Sequence, residues 1–220
     1  MRTKTDVDIT ADVLAELAWD PAVTIADLDA STSNGHVTLS GTAATYGITH
    51  AAARAAYRVH GVRGLTSNIV VDPALLGVRS DAAIQADVRS ALILDTLVPL
   101  DRVAIDVYNG IATLTGSLDY YYQREAAEHA ASRIAGVFGV NNLIALAPSG
   151  PIAGDVTDRI AQAFARNAQL ADDHVSVMVE GRAVTLAGTV STWSESVEAE
   201  NAAWRAAGVS QVVNKIVVAY

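Results

Sequence analysis

The side chains able to do chemistry are few in this 220-residue chain: five histidines, seven tyrosines, three tryptophans and no cysteine. Without cysteine there is no thiolate nucleophile, no disulfide and no Cys-ligated zinc or iron–sulfur cluster. The histidines are His36, His50, His60, His129 and His174, and none forms H-x-x-x-H or H-E-x-x-H. His50 and His60 stand ten residues apart, roughly 80° apart around a helix. A transition-metal site would therefore need carboxylates brought in by the fold, and none is expected. A nucleophile elbow needs G-x-S-x-G between strand and helix. Ser117 follows Gly116 but lacks the flanking pattern, and "PSGP" at 148–151 reads as linker. Phosphate loops of the G-x-x-x-x-G-K-[ST] or G-x-G-x-x-G type are absent. The Asp172-Asp173 pair has no partner base, and Asp173 leads into a strand as Asp101 does. No catalytic residue, metal or cofactor is expected, and the chain is not expected to be an enzyme.

What remains is binding chemistry. The formal net charge is −9, so long-range electrostatics oppose nucleic acid and anionic bilayers unless a basic patch is built locally. One stretch supplies such a patch. From Ala30 to Val71 there is no Asp or Glu, and the same stretch holds Arg54, Arg58, Arg63, His36, His50 and His60. Arg54 and Arg58 are i, i+4 neighbours on a helix. Arg54, Arg58, Arg63, His50 and His60 are the candidates for a lipid headgroup or an acidic partner. The competing reading is a solvated face balanced by Asp8, Asp12 and Glu16 of the preceding helix. Aromatics supply the second set of candidates. Tyr46, Tyr121 and Trp193 each lie five residues past a glycine, read either as packing against a neighbour or as a ligand platform. Tyr120, Tyr121 and Tyr122 are read as consecutive helical positions, which cannot all face one core, so at least one is expected at the surface or an interface.

The elements that hold these side chains recur. "NGHVTLSG" (34–41), "NGIATLTG" (109–116) and "GRAVTLAG" (181–188) are three versions of one phrase, offset by 75 and then 72 residues. The offsets hold elsewhere. Ile9, Val13 and Leu17 correspond to Ile84, Val88 and Leu92, then to Val156, Ile160 and Phe164, each an i, i+4, i+8 helical stripe. Leu28, Ala30 and Thr32 correspond to Val103, Ile105 and Val107, then to Val175, Val177 and Val179, alternating as a half-buried strand. Asn34-Gly35 and Asn109-Gly110 predict type I′ turns, and Gly181-Arg182 a type II′ turn of the same length. Gly41, Gly116 and Gly188 are expected to close the second strand. A second helix follows with an alanine stripe (Ala52, Ala55, Ala56; Ala127, Ala130, Ala131; Ala199, Ala202, Ala203), which suits close approach to a sheet. Gly61-Val62, Gly136-Val137 and Gly208-Val209 are expected to end that helix, and a third strand completes the unit.

Each unit reads α-β-β-α-β. The expected domains are 1–72, 80–147 and 152–220, joined by "DPALLGVRS" and "APSGP", with Leu75 and Leu76 expected to pack between the first two. The fold class is α+β: three tandem repeats, each a three-stranded mixed sheet with two helices on one face. The outer face of each sheet, with Thr38, Thr113 and Thr185 and with Val70, Leu143, Ala145, Val213 and Val217, is expected to be covered by packing of the three sheets, by homo-oligomerisation, or by both.

The repeated order, the V-x-L-x-G strand with its preceding Asn-Gly, the helix-ending Gly-Val and the "NKIVV" of the last strand together resemble the BON domain family (bacterial OsmY and nodulation), over nearly the whole chain and in its leaderless, triple-domain form. The resemblance implies a non-enzymatic binding module, with anionic phospholipid as favoured ligand and a setting in envelope or osmotic stress. It also implies two alternatives: a self-assembling scaffold, as in ring-forming assemblies that carry such domains, and cytoplasmic potassium binding. It offers no catalytic residue to carry over. The N-terminus has no apolar signal region, and no run of about 18 apolar residues exists. The protein is thus expected in the cytoplasm if Met1 is the native start, and in the periplasm if a leader has been removed.

Overall fold

Thr5 starts the first helix. Its side chain accepts from the Asp8 amide, and the Asp8 carboxylate accepts in return from the Thr5 amide at 3.0 Å, a reciprocal cap. The computed structural model describes residues 4–72, 77, 79–147, 156–167, 170 and 174–219. "PSGP", the Asp172-Asp173 pair and Leu75-Leu76 lie outside the described residues. The first repeat runs α1 (Asp6–Trp19), β1 (Ile25–Ser33), β2 (His36–Ala43), α2 (Tyr46–Tyr57) and β3 (Gly64–Val71). The second runs α3 (Asp81–Leu94), β4 (Val103–Tyr108), β5 (Ile111–Leu118), α4 (Tyr121–Ser132) and β6 (Gly139–Leu146). The third runs α5 (Val156–Arg166), β7 (His174–Glu180), β8 (Ala183–Val190), α6 (Trp193–Trp204) and β9 (Gln211–Val218). The chain divides into two compact units: Met1–Ser117 with Gln123–Ala145, and Leu118–Tyr122 with Leu146–Tyr220.

Each repeat builds its own three-stranded sheet with the second strand central. In the first sheet β1 pairs antiparallel with β2, and β2 pairs parallel with β3. The third sheet repeats this pattern. Parallel neighbours require a crossover, and the second helix supplies it. One face of each sheet carries the core. In the first repeat Ile9, Val13 and Leu17 of α1 and Ala52, Ala55 and Ala56 of α2 meet Val37 and Leu39 of β2. In the third, Val156, Ile160 and Phe164 meet Val184, Leu186, Ala199 and Ala203. Helical stripe and alanine stripe thus fall where the periodicity places them.

The turns show a device that the repeats share only in part. Asn34 and Asn109 have φ of 53° and 47°, and the glycines after them 76° and 71°, as type I′ demands. The Asp6 carboxylate accepts from the Asn34 and Gly35 amides at 2.8 and 2.9 Å, and Asp81 does the same for Asn109 and Gly110. A carboxylate at the start of the first helix thus holds the hairpin tip. The third repeat has Ala153 at the corresponding position of the sequence. There Gly181 has φ 58°, and Arg182 bonds instead to the Gly208 carbonyl at 3.1 Å. Aspartate and Asn-Gly are lost together.

Two expectations are corrected. Gly41, Gly116 and Gly188 do not close their strands but lie inside them, since β2, β5 and β8 run on to Ala43, Leu118 and Val190. Gly41 faces a bulge in β1 between Ala26 and Asp29, where Asp27 adopts φ 50°. Gly61, Gly136 and Gly208 do not cap the second helix directly. α2 and α6 end on right-handed caps at Arg58 and Arg205, and a further turn precedes each glycine. Val70, Leu143 and Val217, one on the third strand of each repeat, are 63, 65 and 60% exposed.

Candidate functional site

The acid-free stretch does not fold into one basic patch. Arg58 ends α2 and reaches α1: its Nε donates to Glu16 Oε1 at 2.7 Å and its Nη2 to Asp20 Oδ2 at 2.8 Å. Those bonds hold the Asp20 carboxyl below its ordinary range and push the Arg58 guanidinium up. Of the balancing acids expected from sequence, Glu16 takes that role. Asp12 pairs with Lys4, and Asp8 is spent on the Thr5 cap. Asp20 was missed, because it lies just past the helix stripe. Arg54 is exposed on α2 and makes no ion pair among the described residues. Arg63 sits at the opposite end of α1: its amide donates to the Gly35 carbonyl at 2.8 Å, beside the turn that Asp6 holds. His36 pairs with Thr66 Oγ1 at 2.9 Å on the outer sheet face, and His60 is exposed. The structure therefore keeps Arg54 and Arg58 together and separates them from Arg63.

His50 belongs to a different place. Its ring meets Tyr46 edge-on at 4.6 Å, both lining a cavity of about 500 Å³. The imidazole Nε2 is buried and has no hydrogen-bond partner among the described residues. Burial lowers its pKa; Glu128 opposes this, while Arg54 and His129 reinforce it. Burial likewise raises Tyr46. The sign for stability follows. An unfolded histidine titrates near 6.5, so as pH falls through that value the unfolded chain takes up a proton that folded His50 resists. The melting temperature of the natural chain is expected to fall more steeply from about pH 7 to pH 5 than that of His50→Gln. Parallel curves in thermal melts would exclude this role for burial.

Of the aromatics, Tyr46 and Tyr121 open α2 and α4, and Trp193 opens α6. Tyr121 stacks on Trp204, centroids 4.2 Å apart and planes within 8°, both in the second compact unit. Tyr120 precedes α4 instead of lying on it, and stacks on Tyr122 at 5.5 Å, each ring 49% exposed. One tyrosine is thus at a contact and two are at the surface. Sequence reasoning missed Trp19, the last residue of α1, which is 83% exposed. It falls two residues past the buried Leu17 and off the Ile9–Val13–Leu17 stripe, a signal the periodicity contained. Among the described residues no three His, Asp or Glu side chains converge as a metal site would need, and no helix is long and apolar enough to cross a membrane.

Fold and surface together define a tandem α+β repeat protein whose distinguishing chemistry lies in surface and cavity residues. The chain belongs to the BON domain family: the family model described as "BON domain" matches residues 5–73, 80–148 and 153–220. It is 29% identical over 141 residues to the osmotically-inducible protein Y of Escherichia coli (strain K12), covering 62% of this chain and 70% of that protein. Among solved structures it is similar to the C-terminal domain of CdsD, a structural protein of the type III secretion system of Chlamydia trachomatis, at 13% identity and TM-score 0.27, covering 99% of this chain and all of that one. It is also similar to the PrgH periplasmic domain, at 13% identity and TM-score 0.22, covering 94% of this chain and all of that one. Likenesses at such scores bear on neither partner nor assembly.

Proposed function

We propose that this protein is a non-enzymatic binding module that docks on anionic phospholipid surfaces and serves in envelope or osmotic stress. The stress setting rests on the name of the Escherichia coli relative. Docking rests on one juxtaposition: Trp19, 83% exposed, adjoins Asp20, whose partner Arg58 shares α2 with the exposed Arg54. An exposed indole suits the membrane–water interface. Arginines beside it supply the local attraction that a −9 chain otherwise lacks. Arg54 is the better test of the two, because Arg58 is already held by Glu16 and Asp20.

Co-sedimentation with phosphatidylglycerol vesicles is expected to pellet the protein at low salt and to fail at high salt. Trp19→Ala combined with Arg54→Glu is expected to weaken pelleting by about tenfold or more. No pelleting of the natural chain, or pelleting indifferent to both changes, ends this reading. A second reading, self-assembly, is favoured by Val70, Leu143 and Val217 standing open on the outer sheet faces. Light scattering during size-exclusion chromatography without lipid separates the two, since a strict monomer at high concentration is compatible with docking alone.

A further inference from the structure

The three copies differ where one of them is hollow. In the second repeat Asn142 of β6 ties the third strand to the helix above it. Its Nδ2 donates to the Arg124 carbonyl at 2.9 Å and to Glu128 Oε2 at 3.1 Å, and its Oδ1 accepts from the Ile144 amide at 3.3 Å. In the third repeat Asn214 does the same work. Its Nδ2 donates to the Ser196 carbonyl, to Ser196 Oγ and to Glu200 Oε2 at 3.3, 3.1 and 3.2 Å, and its Oδ1 accepts from the Ile216 amide at 3.0 Å. An asparagine and a glutamate thus fill the gap between second helix and third strand. By the same 75-residue offset the first repeat has Ser67 and Ala53 in their places. Neither side chain is long enough to cross. The gap remains as an open-mouthed cavity of about 500 Å³, lined by Ala53, Ser67, Ile69 and Phe138 among others.

The chemistry of the wall narrows the occupant. A pocket of this size with an apolar lining and a few convergent polar groups is the usual form of a small-molecule site. The polar side chains of the wall are Tyr46, Thr49, Ser67 and His50; the Thr49 hydroxyl already donates to the Tyr46 carbonyl at 2.7 Å, and the buried His50 Nε2 lacks a partner among the described residues. A buried polar atom left unbonded is costly. A neutral imidazole offers Nε2 as donor or as acceptor according to its tautomer, and a hydroxyl matches either role. A carboxylate fits worse. It would have to leave water for an apolar wall, while the Glu128, Arg54 and His129 charges that reach His50 oppose one another. We propose that this cavity, present in the first repeat and plugged in the other two, binds a small uncharged amphiphile, an aliphatic or phenolic alcohol, whose hydroxyl bonds His50 Nε2 once the ring turns that buried atom toward the cavity, while its hydrocarbon body lies against Ile69 and Phe138. The site is separate from membrane docking and stands or falls without it.

Proton NMR of the full chain titrated with octanol tests it. The His50 ring resonances are expected to shift saturably, and octanoate to bind about tenfold or more weakly by the same signal. Ala53→Glu with Ser67→Asn restores the plug of the other repeats and is expected to abolish octanol binding while the melting temperature holds or rises. His50→Phe keeps the ring's bulk and removes the hydrogen bond, so it is expected to bind octanol about tenfold more weakly by calorimetry, even should the plugged variant fold poorly. The proposal is overturned by absence of saturable shifts up to the solubility of octanol, by octanoate binding as tightly as octanol, or by a folded plugged variant that binds unchanged.

Discussion

Gly116→Ala is expected to destabilise the second repeat by about 3 kcal/mol or more, one of the largest effects of any single methyl added to this chain. The position lies inside β5 at φ 136°, a conformation L side chains rarely adopt. A Cβ there would fall on the Arg102 carbonyl oxygen, which is backbone and cannot swing aside as a flexible side chain would. The two effects compound, because relieving the clash would move β4, whose Val103 pairs directly with Gly116. Gly41→Ala meets a softer version at φ 144°: its Cβ would stand 2.6 Å from Ile25 Cγ2 and 2.9 Å from the Ala26 carbonyl oxygen. It is expected to cost less than Gly116→Ala, since an isoleucine methyl can rotate. Differential scanning calorimetry of both variants checks the order. Equal melting temperatures for Gly116→Ala and the natural chain would show that the strand absorbs the methyl and that the backbone contact is not constraining.

These glycines also show where the sequence was legible and where it was not. The elements could be read, because three copies of each helical stripe and each alternating strand repeat the same periods, and a core face must obey them. The glycine could not be placed, because a strand terminus and a bulge both ask for a residue without Cβ. Only the pairing of β1 with β2, with Asp27 at φ 50°, decides between them. The candidate site was legible in part. Arg54 and Arg58 were placed on one helix face, and Glu16 among the acids that answer them. That Arg63 lies at the far end of α1 is a fact of how the chain returns to the Gly35 turn, which spacing does not encode. The cavity stood in the sequence as Ser67 and Ala53 against Asn142 with Glu128 and Asn214 with Glu200. Its meaning needed the structure, because only the packing of helix on strand shows that those two positions touch.

Leu39→Ala is expected to cost about 3–5 kcal/mol, the upper part of the range for a buried leucine. Leu39 is fully buried on the central strand β2 and shares its cluster with Val13 and Leu17 of α1 and with Ala52, Ala55 and Ala56 of α2. The size of the loss depends on how far the surroundings can close on the space. One wall here is alanine, which has no rotamer to turn inward. α2 already lies close on the sheet, so its backbone would have to shift as a body. The other wall is two branched side chains on α1, and β-branched Val13 is stiff at χ1. Collapse is therefore poor and the cavity term stays nearly whole. Val7→Ala on the same helix removes an apolar side chain that is 78% exposed, and is expected to change stability by no more than about 0.5 kcal/mol. Urea unfolding of the two variants checks the contrast. A Leu39→Ala cost below about 2 kcal/mol would mean that the alanine-lined helix moves inward to refill the core. The close approach that the alanine stripe permits would then be a source of plasticity and not of rigidity.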